Sequence, residues 1–218
     1  MSAVFATALS MFLVITLVPL LTRLAGPLGL LDQPGPRKIH QHAVPRVGGI
    51  AITIGVVVSI LIWVPLRAEI QAYVLSASII FLFGLADDRL GLDYRIKLTG
   101  QILGACVFIF AADLQITRLP FFFDGEMPGW AGLPLTLLVI VGVTNAVNMS
   151  DGMDGLAGGN SLLAACALGY LIYLGGDKQI TLLALSVIGA TLGFLRYNTY
   201  PARIFMGDAG SQFLGFSV

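Results

Sequence analysis

The chain has 218 residues, of which 57% are hydrophobic and 11% charged, with a formal net charge of zero and a mean hydropathy of +0.90. A soluble domain carries about 25% charged residues, so this composition excludes an ordinary water-soluble globule and offers no basic footprint for nucleic acid. It describes an all-α integral membrane protein, a polytopic helical bundle.

A membrane span takes roughly 20 apolar residues. Such runs occupy 3–24, 47–66, 70–87, 98–113, 131–149, 161–175 and 180–196, and an eighth opens near 209 and continues to Val218. About seven full spans plus the start of an eighth are therefore expected, within one transmembrane domain covering 1–218. No basic segment precedes the first run, so it reads as a span and not as a cleaved leader. Cys106 and Cys166 lie inside apolar runs without zinc-ligand spacing and read as small hydrophobic filler. No internal repeat is visible.

Alternating the loops between two sides sorts the Lys and Arg residues. Arg23, Arg37, Lys38, Arg46, Arg89, Arg95, Lys97, Arg196 and Arg203 share one side, and Arg67, Arg118 and Lys178 the other. The positive-inside rule then puts the richer side in the cytoplasm and the N-terminus outside. Loop 25–46 and the segments DDRLGLDYRIK (87–97), NMSDGMDGLAGGN (148–160) and RYNTYPARIFMGDAGSQ (196–212) all fall on the cytoplasmic side. The outer segment 113–130, with FFF at 121–123, reads as an interfacial loop without chemistry.

Polar residues gather in those inner segments. Asp87 and Asp88 end the third span, where the helix dipole disfavours carboxylates and adjacent acids repel. A bound cation or Lys97 would compensate; a solvated helix end paired with Arg89 is the plainer alternative. Asn145, Asn148, Asp151 and Asp154 follow at intervals of three, a spacing that brings side chains on successive helical turns together. Their amide and carboxylate oxygens suit a hard cation such as magnesium, and Gly152, Gly155, Gly158 and Gly159 would allow close approach of an anion. A polar turn with Asn and Asp as caps is the alternative. Asp208 sits between Gly207 and Gly210 at the mouth of the eighth span. Arg37, Lys38, His40, His42 and Arg46, followed by Gly48 and Gly49, could bind a phosphate or simply face anionic lipid. These residues together read as a metal-dependent enzyme acting on a phosphorylated, partly lipid substrate. A transporter would place its site near the midplane between repeats, and a scaffold would need no such clusters.

FGLADDRLGLDYRIK, TNAVNMSDGMDGLAGG and RIFMGDAGS resemble the polyprenyl-phosphate N-acetylhexosamine-1-phosphate transferases, from about residue 20 onward. The resemblance implies transfer of a sugar-1-phosphate from a UDP-N-acetylhexosamine to undecaprenyl phosphate in a bacterial plasma membrane, with release of UMP. It implies Mg²⁺, with Mn²⁺ as a substitute, and a homodimer among membrane lipids. It matches Asp87 and Asp88 to the family's acidic pair, with Asp87 favoured as base or orienter of the lipid phosphate. Asn148 and Asp208 match metal-holding positions. Asp151 and Asp154 match positions near uridine and metal, so Asp151 joins the catalytic set. Lys97 matches a phosphate-contacting lysine, and Asn145, Arg46 and Lys38 complete the substrate-binding set. HAVPRVGG and NAVNMSDGMDG look more like the GlcNAc branch than the MurNAc-pentapeptide branch. The family's later spans and His-rich loop are expected to be missing from these 218 residues.

Overall fold

The computed structural model describes residues 1–35, 42–119 and 125–218. Among these, eight helices follow in order: α1 (Ser2–Leu24), α2 (Gly48–Trp63), α3 (Ala68–Leu90), α4 (Tyr94–Ala112), α5 (Gly129–Ser150), α6 (Leu156–Leu174), α7 (Lys178–Asn198) and α8 (Gly207–Ser217). Six of them, all but α2 and α8, are long and apolar enough to cross a membrane. The expected second span is shorter than its apolar run: α2 has 16 residues, about 24 Å at 1.5 Å per residue against a hydrocarbon core of about 30 Å. Two ribbons interrupt the helices. β1 (Leu31–Asp32) pairs antiparallel with β2 (Val44–Pro45), and β3 (Arg118–Leu119) with β4 (Gly125–Glu126).

Local chemistry sets the helix ends. Gly91 adopts the left-handed conformation at φ 61° and returns its N–H to the Asp87 carbonyl, which stops α3. Asp93 then accepts from the Arg95 N–H and starts α4. A left-handed glycine followed by an Asp cap is a compact helix stop and restart. The segment DDRLGLDYRIK is thus mostly helix, with three residues of turn, rather than an open loop. Turns this short make consecutive helices antiparallel. The C-terminal ends of α3 and α5 therefore meet the N-terminal ends of α4 and α6, and hydrogen bonds of Asp88 and Asn148 with Asp208 and of Gly48 and Gly49 with Phe205 and Met206 bring the starts of α8 and α2 to the same end of the bundle.

The core runs through Val14, Val18, Ile52, Val56, Ile80, Val187, Phe194 and Phe213, all fully buried or nearly so. The outer faces are apolar as well: Leu82, Phe110, Leu138 and Leu171 are each more than half exposed, as helices bathed in lipid require. Only α8 is enclosed almost throughout, with Ala209 to Gly215 all buried. Small residues let it in. A Cβ on Gly84 would lie 2.7 Å from the Ala209 Cα, one on Gly210 would lie 2.7 Å from the Gly49 Cα, and one on Gly215 would lie 2.7 Å from the Thr144 Cα. Close backbone approach at small residues is the usual substitute for the hydrophobic effect between helices in lipid.

Candidate active site at one end of the bundle

The buried N-terminus of α8 is the centre of the site. Its first residues need partners for N–H groups that no preceding turn can satisfy, and Met206 at the cap position offers no side-chain bond. Asp88 supplies them from α3. Its Oδ1 accepts the Asp208 N–H at 2.8 Å and its Oδ2 the Ala209 N–H at 2.9 Å. The carboxylate that stands at the unfavourable end of α3 thus stands at the favourable end of α8.

Asp87 faces the other way. Its Oδ1 accepts the Leu92 N–H at 2.7 Å, and its Oδ2 lies 2.6 Å from the Lys97 Nζ. Lys97 is the compensating cation, and Arg89, the alternative partner, is exposed at the helix end. The Lys97 Nζ also donates to Asp208 Oδ1 at 3.0 Å. That same oxygen accepts from the Asn148 Nδ2 at 2.6 Å, and the amide donates onward to the Ser211 Oγ at 2.7 Å. Four of the residues expected in the site, Asp87, Lys97, Asn148 and Asp208, therefore form one network across α3, α4, α5 and α8.

One helical turn deeper lies an uncharged tier. Asn145 Nδ2 donates to Gln101 Oε1 at 2.6 Å and to the Val141 carbonyl at 2.9 Å. The Gln101 Nε2 donates to Gln212 Oε1 at 3.3 Å. Asn145 belongs to this tier, away from the charged residues. Gln101, Ser211 and Gln212 escaped the sequence reading, yet Lys97 to Gln101 and Asp208 to Gln212 are both four-residue steps, which put them on common helix faces.

The regular comb also comes apart at its far end. Helix α5 stops at Ser150, Asp151 is its C-cap residue, and Gly155 is left-handed at φ 74°. The exposed Asp154 consequently turns toward the segment before α8, where its Oδ2 accepts the Ala202 N–H at 2.9 Å. Buried Asn198 holds the same junction by accepting the Gly155 N–H and donating to the Ile204 carbonyl. The glycines likewise have structural work: the Gly48 and Gly49 N–H groups donate to the Phe205 and Met206 carbonyls and are not free for a phosphate.

Asp151 remains beside the network, half-buried. Burial, then the Asp208 and Asp88 carboxylates, push its carboxyl up to about 8, against a smaller opposing effect of Arg46. Arg46 is ion-paired with Asp32 across the β1–β2 ribbon, and its guanidinium lies 4.0 Å from Asp88 Oδ1. Asp32 was not singled out from the sequence. Lys38, with Arg37 and His40, lies outside the described residues.

Among the described residues, Arg46 thus lies beside Asp32 and Asp88 and Lys97 beside Asp87 and Asp208, with Asp151 close enough to feel Asp208, Asp88 and Arg46. Among the described residues no three His, Cys, Asp or Glu side chains stand ready-made as a metal site. The oxygens of Asp151, Asp208 and Asn148 are nonetheless hard donors, which suit a divalent cation that also takes oxygens from a phosphate.

The sequence profile of glycosyl transferase family 4 matches residues 70–218, a stretch that contains Asp87, Lys97, Asn148 and Asp208. The chain belongs to glycosyl transferase family 4. Relatives in the family include a probable undecaprenyl-phosphate N-acetylglucosaminyl 1-phosphate transferase of Bacillus subtilis (strain 168), 41% identical over 99% of this chain and 61% of the relative. A phospho-N-acetylmuramoyl-pentapeptide-transferase of the same organism is 34% identical over 93% of this chain and 67% of the relative. The undecaprenyl-phosphate alpha-N-acetylglucosaminyl 1-phosphate transferase of Escherichia coli (strain K12) is 33% identical over 96% of this chain and 59% of the relative. The chain spans about three fifths of the length of such family members.

Proposed function

We propose that the protein transfers an N-acetylhexosamine-1-phosphate, most simply GlcNAc-1-phosphate, from a UDP-sugar to undecaprenyl phosphate. The observation that carries this reading is the meeting of Asp87, Lys97, Asn148 and Asp208 in one hydrogen-bonded network at one end of an apolar bundle. A site in that position can be reached by a lipid phosphate from the side and by a nucleotide from water. The relatives named above support the substrates, and the 41% identity favours the GlcNAc donor. The excess of Lys and Arg in the segments at the site's end supports a cytoplasmic orientation.

In this reaction an oxygen of the lipid phosphate bonds to the β-phosphorus of the UDP-sugar. The bond from that phosphorus to the bridging oxygen breaks, and UMP leaves with the electron pair. Mg²⁺, or Mn²⁺, held by Asp208, Asp151 and the Asn148 amide oxygen, would offset charge on the diphosphate. The chain's own residues do the positioning. Lys97, fixed between Asp87 and Asp208, presents an ammonium to the phosphates. Asp87, with both oxygens engaged by Leu92 and Lys97, orients that lysine. A lipid phosphate that is already ionised needs no base. Arg46, beside Asp88, and Asp154, against the segment before α8, would meet the rest of the substrate, and Asn145 acts from the deeper tier.

The test is UMP release by the purified chain given undecaprenyl phosphate, Mg²⁺ and either UDP-GlcNAc or UDP-MurNAc-pentapeptide. Release from UDP-GlcNAc, abolished by EDTA and by Asp208→Ala, is expected. Release from the pentapeptide donor alone would move the protein to the other branch. Silence with both donors, also in the full-length protein, would sink the reading.

A further inference from the structure

Asp88 does not have the environment of a group that meets substrate. It is 8% exposed, and both carboxylate oxygens are consumed by backbone N–H groups of α8, at 2.8 and 2.9 Å. Three independent features fit it to that place. The cap position of α8 is Met206, which cannot accept a hydrogen bond from the helix. Gly207 has φ +70°, and a Cβ there would lie 2.5 Å from Asp88 Oδ2, so the carboxylate fills the space a side chain would need. The Arg46 guanidinium stands 4.0 Å from Oδ1.

One of the two amides held by Asp88 belongs to Asp208 itself. Fixing that N–H fixes the first turn of α8 and with it the direction of the Asp208 side chain, whose Oδ1 meets Lys97 and Asn148. We infer that Asp88 is a positioning residue: a helix cap donated by α3 to α8 that aims Asp208 into the charged network. It acts through Asp208, and to that extent the inference rests on the proposed function.

Hydrogen–deuterium exchange of the purified chain in lipid nanodiscs, read on the segment 206–212, tests the cap without needing turnover. Asp88→Asn keeps the shape but loses one acceptor and the charge. Gly207→Ala keeps the charge and pushes the carboxylate aside. Both are expected to speed exchange at the Asp208 and Ala209 amides by about tenfold, the loss of a charge-assisted hydrogen bond. Asp93→Asn, at the cap of α4, should leave those amides unchanged.

Mn²⁺ binding to the same samples, followed by electron paramagnetic resonance, reads the positioning. Both variants should weaken it by about tenfold. Unchanged exchange in Asp88→Asn overturns the inference. So does Mn²⁺ binding weakened by Asp88→Asn but not by Gly207→Ala, because charge alone would then explain it. A wild-type chain that binds no Mn²⁺ would sink the metal in the proposed function instead, and the exchange results would decide the cap by themselves.

Discussion

Of the three aspartates that cap helix N-termini among the described residues, Asp177 and Asp88 do so from opposite distances. Asp177 precedes α7 and accepts from the N–H groups of Gln179 and Ile180, two and three residues on, through Oδ1 at 2.9 and 3.1 Å. Asp88 accepts from Asp208 and Ala209, about 120 residues away. The bonds are of similar length and serve the same physical purpose. The surroundings differ: Asp177 is only partly buried, at the end away from the site, while Asp88 is enclosed between α3 and α8 beside Asp87. A local cap can be lost with little consequence beyond its own turn. A remote cap ties two helices together, so its loss reaches everything those helices hold.

The strongest way to break the contrast is to remove the cation on the site's side. Lys97→Met leaves Asp87 and Asp208 facing each other without compensation. It should destabilise the protein by about 3 kcal/mol, visible as a lowered unfolding midpoint in detergent, along with loss of UMP release. Next comes Asp88→Ala, which strands two buried N–H groups. A cost of about 2 kcal/mol is expected, with turnover falling in parallel.

Asp177→Ala supplies the other half of the comparison: about 1 kcal/mol and turnover unchanged. The Ile180 N–H, opposed by desolvation and helped by the Gln179 N–H and the Arg67 charge, holds the Asp177 carboxyl below its ordinary value. Its stabilisation is therefore present above the ordinary carboxylate range and lost as pH falls through the depressed value. An acid titration of wild type against Asp177→Ala checks that sign. If Asp177→Ala proved as costly as Asp88→Ala, distance in sequence would not be what separates the two caps.

The last comparison concerns Asp151, whose carboxyl is pushed up to about 8. The folded protein keeps a proton there that the unfolded chain releases near pH 4. Stability should therefore decline as pH rises from about 4 to about 8, and Asp151→Asn should flatten that slope. A cation that uses Asp151 competes with the same proton, so Mn²⁺ affinity should climb with pH through about 8 in the wild type. The variant should show no such climb.

Much of the architecture was legible in the chain because helices and their ends answer to neighbours. Apolar runs located the helices to within a few residues, except that α2 is shorter than its run and α4 and α6 begin four to five residues earlier than expected. The reason is that Tyr94, Arg95 and Lys97 are helical despite their polarity, and that Leu156 to Asn160 continue a helix opened by left-handed Gly155. The polar comb was read as one face of one helix. Half of it is, and the glycine-rich turn after Ser150 sends Asp154 elsewhere.

By itself the sequence determined a bundle of apolar helices whose charged motifs gather at one end, since period, turn length and cap residues act over a few positions. Only the tertiary structure decided what each polar group does there. It gave Asp88 to the backbone of α8, Lys97 to Asp87 and Asp208, and Asn145 to Gln101. Those partners lie between 10 and about 120 residues apart, and a buried polar group takes whichever partner packing brings within hydrogen-bond reach.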